Sequence, residues 1–320
     1  LKINFLLFTA LPGILGLLLS WTYPAIQLKG LILPALIVVL FPHFIDLDVS
    51  ILREISQKIK PIILMSSIGF LFSPLCAYLL SNVLLKNSPP FVIVGFILFA
   101  LVPGNALMPI FTKMRNADSS LTILFYTVSY ALALVFVPIW SQFLLGGFFP
   151  IPTMIIIRSF LLVIGTPLLL TSIFRLFYLR NATKERTLKI KAILNRTAFF
   201  GLAVIIFSIF AERGQLLLSQ PGLVLKVLPA AALLLLACLF SGLILSKVFH
   251  LKREIAETVM IAGTTKNTVI ALAIATNAFS NNEAIIVAIC GPLTQLPFML
   301  FYVSLAGVLF KQKESVVKSC

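Results

Sequence analysis

Apolar and polar positions alternate along this chain in blocks far longer than a turn of helix. Apolar runs fall at about residues 3–20, 28–43, 61–84, 91–112, 119–146, 151–176, 195–211, 221–248, 256–279 and 283–310, ten in all. Most are long enough to cross a hydrocarbon layer of roughly 30 Å as helices. The second and seventh runs are short and need tilt or snorkelling flanks. Between runs two and three, DVSILREISQK places Val49, Ile51, Leu52, Ile55 and Ile59 so as to predict a short interfacial helix. The first run, Phe5 to Leu19, is followed by no small-residue cleavage pattern and is read as a span rather than a leader. Short alternating strands, the signature of a membrane barrel, are not seen.

Charge orients the runs. Nineteen of the 25 basic residues fall on the side of the N-terminus, four on the other, and Arg158 and Lys266 lie within runs. That bias predicts both termini in the cytoplasm. A miscounted span would invert every later loop and erase it. The net charge of +15 is therefore a membrane-topology signal and not a nucleic-acid surface. Composition agrees: 60% of residues are hydrophobic and 11% charged, against roughly 25% charged in soluble domains. The longest basic loop is read at Arg175 to Arg196, and the uncharged turn GGFFPIP, Gly146 to Pro152, divides the runs five and five. An odd number of spans per half inverts the second half. The expected architecture is an all-α polytopic membrane protein of ten transmembrane helices. These form two inverted five-helix repeats, 1–147 and 148–311, with discontinuous helices 4 and 9 and a cytoplasmic tail, 312–320.

Candidate chemistry sits in two polar interruptions at matching places in the halves. The fourth run, FALVPGNALMPIFTKMRNAD, carries Pro103, Gly104, Asn105 and Pro109. Pro103 removes a donor, Gly104 relaxes the backbone and Asn105 can cap a resuming half-helix, whose N-terminus suits an anion. A packed kink with no ligand is the plainer reading of the same residues. The ninth run carries Gly263, Thr264, Thr265, Lys266 and Asn267. An intramembrane lysine costs roughly 2.5–3.5 kcal/mol on insertion scales and marks a polar path or a buried pair. No acidic residue lies well inside a run, since Glu257, Glu283 and Asp118 are at run edges, so Lys266 is expected to face an aqueous cavity and an anion. Thr122, Tyr126 and Ser129 form a polar seam on run five, and Gly291, Pro292, Thr294 and Gln295 a second on run ten. Either seam can line a path or join helices. Arg158 is close enough to a run end to snorkel. The candidate substrate or ion site is Gly104, Asn105, Thr122, Tyr126, Thr264, Thr265, Lys266, Asn267 and Gln295. His43 and His250 stand alone, and Cys76, Cys238, Cys290 and Cys320 have no metal-ligand spacing, so neither a metal nor a cofactor is expected.

GTTKNTVIALAIATNAFSNNEAIIVAICGPLTQLPFMLF and PGNALMPIFTKMRNAD resemble the corresponding stretches of the bile acid:sodium symporter superfamily, nearest its bacterial arsenic-resistance-type branch. The resemblance implies a panel domain of runs 1, 2, 6 and 7, a core domain of the others, and broken helices four and nine crossing at the substrate. It also implies a bacterial inner-membrane transporter of organic anions, arsenite or small metabolites, often with sodium. Departures from the family pattern are specific. Met108 and Pro109 stand where sodium-coupled members place Ser and Asn, Ala262 near their Glu, and Lys266 in place of their Gln. The cysteine near the fourth-helix break of arsenite permeases is absent. The combined expectation is secondary transport of a small anionic organic solute, with doubtful sodium coupling and possible proton coupling. The alternative is a non-transporting or sensory membrane protein on the same fold. With no paired intramembrane carboxylates, His cluster or nucleophile–base arrangement, an enzyme is not expected.

Overall fold

The computed structural model describes residues 2–23, 26–45, 55–104, 108–146, 161–179, 183–279 and 282–309, with Met154 and Arg158. Its elements are helical: α1 (Lys2–Thr22), α2 (Lys29–Ile45), α3 (Ile55–Leu84), α4 (Pro90–Leu101), α5 (Met108–Met114) and α6 (Ser119–Leu145). They continue with α7 (161–179), α8 (Lys184–Ser219), α9 (Pro221–Val248), α10 (Arg253–Thr264), α11 (Thr268–Ala278) and α12 (282–309). Among the described residues, five helices are long and apolar enough to cross a membrane: Ile55–Leu84, Ser119–Leu145, Glu185–Ser219, Pro221–Val248 and Asn282–Ser304. Shorter apolar helices, such as Gly30–Pro42 and Pro90–Leu101, accompany them. The chain is an all-α, multi-pass membrane protein.

Two groups of helices pack chiefly among themselves. In the first, α1 lies along α8, α8 along α2, and α2 against α7. Small residues set the spacing: a Cβ on Gly16 would come within 2.6 Å of the Phe207 carbonyl, so the α1 and α8 backbones touch there. Ser20 completes the seam, its Oγ accepting from the Gln215 N–H at 2.9 Å. In the second group, α9 packs on α10 and α3, and α4 and α11 pack on α12. Helix α4 is buried from Val92 to Leu101, as apolarity on all sides requires, and α10 is buried from Glu257 to Thr264 although that stretch carries Glu257, Thr258 and Thr264.

Two sequence expectations change. The stretch read as a loop from Arg175 to Arg196 is largely helix, because α7 runs to Leu179 and α8 begins at Lys184. Thr183 caps α8 by accepting from the Arg186 N–H at 3.3 Å, Glu185 sits in the first turn, and Glu185 pairs with Lys189 at 2.6 Å. Lys, Arg and Glu are strong helix formers, so charge marked the end of the apolar run and not of the helix. The short seventh run is accordingly the middle of a 36-residue helix about 54 Å long, which outreaches the bilayer. Of the interfacial segment, Val49, Ile51 and Leu52 lie outside the described residues. Ile55 and Ile59 open α3, which bends at Lys58.

Candidate functional site

Two apolar helical stretches are interrupted. Helix α4 ends at Leu101 and helix resumes at Met108; α10 ends at Thr264 and helix resumes at Thr268. Just past the two helix ends, Val102–Gly104 and Thr265–Asn267 meet as an antiparallel bridge of Pro103 with Lys266. The Asn267 N–H donates to the Val102 carbonyl at 2.7 Å, and the Gly104 N–H to the Thr265 carbonyl at 3.1 Å. Both bonds run through neighbours of Pro103, so its missing N–H leaves no gap in the bridge. Gly104 holds a φ of 82°, and a Cβ there would lie 2.8 Å from Ser129 Oγ, so only glycine fits. The bridge is pressed onto the π-helical stretch of α3, where a Cβ on Gly69 would meet Pro103 at 2.6 Å.

Gln295 closes the far edge of the bridge. Its Oε1 accepts from the Lys266 N–H at 2.7 Å and its Nε2 donates to the Lys266 carbonyl at 3.2 Å, as a third strand would. Asn267 caps α11 by accepting from the Ile270 N–H at 3.2 Å, and its Nδ2 donates to Tyr130 Oη at 3.1 Å. Tyr130 in turn lies 2.7 Å from the Tyr126 hydroxyl. The backbone of Lys266 is thus fixed on both edges. Its side chain is 0% exposed, and Nζ has no hydrogen-bond partner among the described residues. Among the described residues, the ionisable groups acting on it are the thiols of Cys238 on α9 and Cys76 on α3. A pocket of about 330 Å³ opens beside Asn116, Lys252, Arg253 and Glu254, away from the crossing.

The structure therefore gathers Gly104, Tyr126, Thr265, Lys266, Asn267 and Gln295 around one crossing. Asn105 lies outside the described residues. Thr122 is elsewhere: its hydroxyl donates to the Asp118 carbonyl at 2.9 Å and sits 3.0 Å from Thr112 Oγ1, where α5 and α6 join. The Thr264 and Thr265 hydroxyls donate back into α10, to Met260 and Ile261 carbonyls at 2.9 Å each. Buried Ser and Thr hydroxyls on helices commonly satisfy themselves in this way. Lys266 does not face an open aqueous cavity; it is enclosed. Arg158 is exposed.

Tyr130 and Cys238 were not singled out. Tyr130 follows Tyr126 by four residues, and that spacing alone puts it on the same face. A second polar centre ties the broken pairs together at their other ends. Glu257 on α10 pairs with Arg115 just past α5, whose Nε donates at 3.2 Å, and accepts from Tyr302 Oη of α12 at 2.6 Å. Asp118, the cap of α6, pairs with Lys58 at 3.0 Å and accepts from the Leu121 N–H at 2.8 Å. Glu257 was read as an edge residue and is 2% exposed.

Comparison with known proteins identifies the family. A family model, that of the Sodium Bile acid symporter family, matches residues 33–220, more than half of the chain. The chain belongs to this family. It is 26% identical over 270 residues to Sodium/bile acid cotransporter 5 of Rattus norvegicus, covering 80% of this chain and 59% of that one. The chain thus spans under two thirds of the rat protein's length. It is 24% identical to an uncharacterized transporter of Synechocystis sp., covering 92% of this chain and 82% of the relative. To the arsenical-resistance protein of Alkaliphilus metalliredigens it is 23% identical, covering 93% and 86%. This is a transporter family and not a catalytic one, and secondary transport of a small solute accords with membership.

Proposed function

We propose that the protein is a secondary transporter that moves a small organic anion across a bacterial plasma membrane by alternating access. One observation carries this reading: a wholly buried lysine whose Nζ lacks a partner among the described residues, at the crossing of two interrupted helices. A charge held there needs a partner, and a bound carboxylate or similar group would supply it. Discontinuous helices meeting inside the membrane are the usual ground for such sites. The ten-span plan, with repeats 1–147 and 148–311 and both termini cytoplasmic, makes the two interrupted stretches counterparts. The group α1, α2, α7 and α8 would then be the panel against which the other helices move. Bacterial relatives support the membrane assigned.

Sodium is not the driving ion in this reading. Met108, Pro109 and Ala262 offer no side-chain oxygen, and Lys266 already brings a positive charge to the crossing. The names of the relatives point to different cargoes, a bile acid and an arsenical, so the cargo here is set by this chain's own site.

The test is uptake into proteoliposomes from a mixture of mono- and dicarboxylates, 2-oxo acids, sulfonates and cholate, with sodium and proton gradients imposed separately. One or more anions should accumulate without sodium, and Lys266→Ala should abolish this while inserting normally. Sodium-dependent uptake would overturn the reading of Met108, Pro109 and Ala262. A correctly inserted protein that moves no solute under either gradient would instead be the sensory or non-transporting member.

A further inference from the structure

We infer that Lys266 itself carries the coupling proton, so that each turnover moves one organic monoanion together with one proton and no net charge. The inference rests on the anion-transport reading above and assigns its driving force. It starts from the enclosure of Lys266: 0% exposed, its backbone clamped by Gln295, its Nζ without a partner among the described residues.

The groups around it leave few other carriers for the charge. Among the described residues, the Cys238 thiol of α9 and the Cys76 thiol of α3 act on it as ionisable neighbours. Along α10, Glu257 is nine residues earlier and already engaged by Arg115 and Tyr302. From α6, Tyr130 is held by Asn267 and Tyr126, and Asp118 is paired with Lys58. From α12, Gln295 contributes an uncharged amide. Among the described residues, no carboxylate makes a hydrogen bond or ion pair with Nζ in this closed arrangement.

An ammonium without a partner is disfavoured in a dry, apolar interior, whereas an amine is not. The empty carrier therefore crosses with a neutral amine. When the site opens to water on one side, Nζ takes a proton, and the ammonium pairs with the carboxylate of the solute. The pair is neutral and can be enclosed. On the other side the anion departs and the proton leaves Nζ for water. Charge in the site is zero in both crossing forms, and the sum is one anion and one proton moved in the same direction. An arginine cannot shed its proton in this cycle. Such a carrier would return only with an anion aboard, exchanging anions without net uptake.

The experiment uses proteoliposomes holding the full chain and a trapped pH dye, supplied with the same anion mixture, at two membrane potentials clamped with potassium and valinomycin. Wild-type uptake should acidify the lumen by one proton per monoanion and be the same at both potentials. Lys266→Arg, which keeps a charge for the anion, should exchange anions and lose net uptake, and Lys266→Met should lose both. Net uptake that follows voltage with no proton entry would overturn the inference and leave the transport reading standing. Net uptake by Lys266→Arg at the wild-type rate would do the same. Absence of any uptake or exchange by inserted wild type would remove both. The wild-type stoichiometry decides the matter even where the arginine variant does not fold.

Discussion

Gln295 and Lys266 form a two-bond clasp in which a side-chain amide stands in for a strand. Oε1 takes the Lys266 N–H at 2.7 Å and Nε2 reaches the Lys266 carbonyl at 3.2 Å. The clasp links the π-helical stretch of α12, Ile289–Gln295, to the break between α10 and α11. Replacing Gln295 with Leu leaves the buried Lys266 N–H unpaired, at about 1–3 kcal/mol, while the Lys266 carbonyl keeps the Thr268 N–H at 3.0 Å. The melting temperature in detergent should fall clearly for Gln295→Leu and less for Gln295→Glu, which keeps an acceptor for the N–H. Equal melting of wild type and the leucine variant would show that the clasp does not hold the crossing.

Asn267 joins helix capping to the tyrosine pair of α6. Asn267→Ala loses both the cap on Ile270 and the bond to Tyr130, and should destabilise by about 1 kcal/mol or more. Tyr130→Phe removes the acceptor for Asn267 Nδ2 and leaves the cap on Ile270 intact. It should therefore lower the melting temperature less than Asn267→Ala. Equal melting of the two variants would place the whole of the Asn267 contribution in its bond to Tyr130.

Gly104 should tolerate no side chain. At φ 82° an alanine is strained by about 1–2 kcal/mol, and its Cβ would sit 2.8 Å from Ser129 Oγ. Ser129→Ala should rescue Gly104→Ala only in part, since it relieves the contact and not the backbone. Full rescue, measured by thermal melts of the single and double variants, would place all of the penalty in the contact.

How much of this was legible in the residues depends on the kind of signal. A Pro-Gly pair or a lysine inside an apolar run has no role in a plain spanning helix, so Pro103, Gly104 and Lys266 stood out at once. Their mutual contact did not, because a bridge between residues 163 positions apart is a tertiary fact with no local trace. Gln295 was recognisable as an amide needing a partner, but not as the partner of Lys266. Thr122 misled: a hydroxyl on a polar seam looks like a ligand, and this one closes the joint between α5 and α6. Glu257 was set at a span edge by hydropathy, while its burial depends on Arg115 and Tyr302 arriving from elsewhere in the chain. The start of α8 at Lys184 was hidden because the same charged residues favour water and helix alike.

The Arg115–Glu257 pair should behave as a buried ion pair. Removing one partner, as in Glu257→Leu, strands a buried charge and should cost about 3–5 kcal/mol. The double change Arg115→Met with Glu257→Leu should recover much of that loss. A double-mutant cycle on thermal or denaturant stability reads the coupling directly, and strictly additive effects would contradict the pairing.

The central claim is that Lys266 provides the charge that holds the transported anion, and equilibrium binding tests it most directly. Once uptake has identified an anion, its affinity for purified wild-type protein and for Lys266→Met is measured by scintillation proximity at one pH and salt concentration. Loss of a buried, charge-assisted partner costs about 2–5 kcal/mol, so binding to Lys266→Met should weaken by about 30-fold or more while the protein melts no lower than wild type. An affinity for Lys266→Met equal to that of wild type would contradict the account.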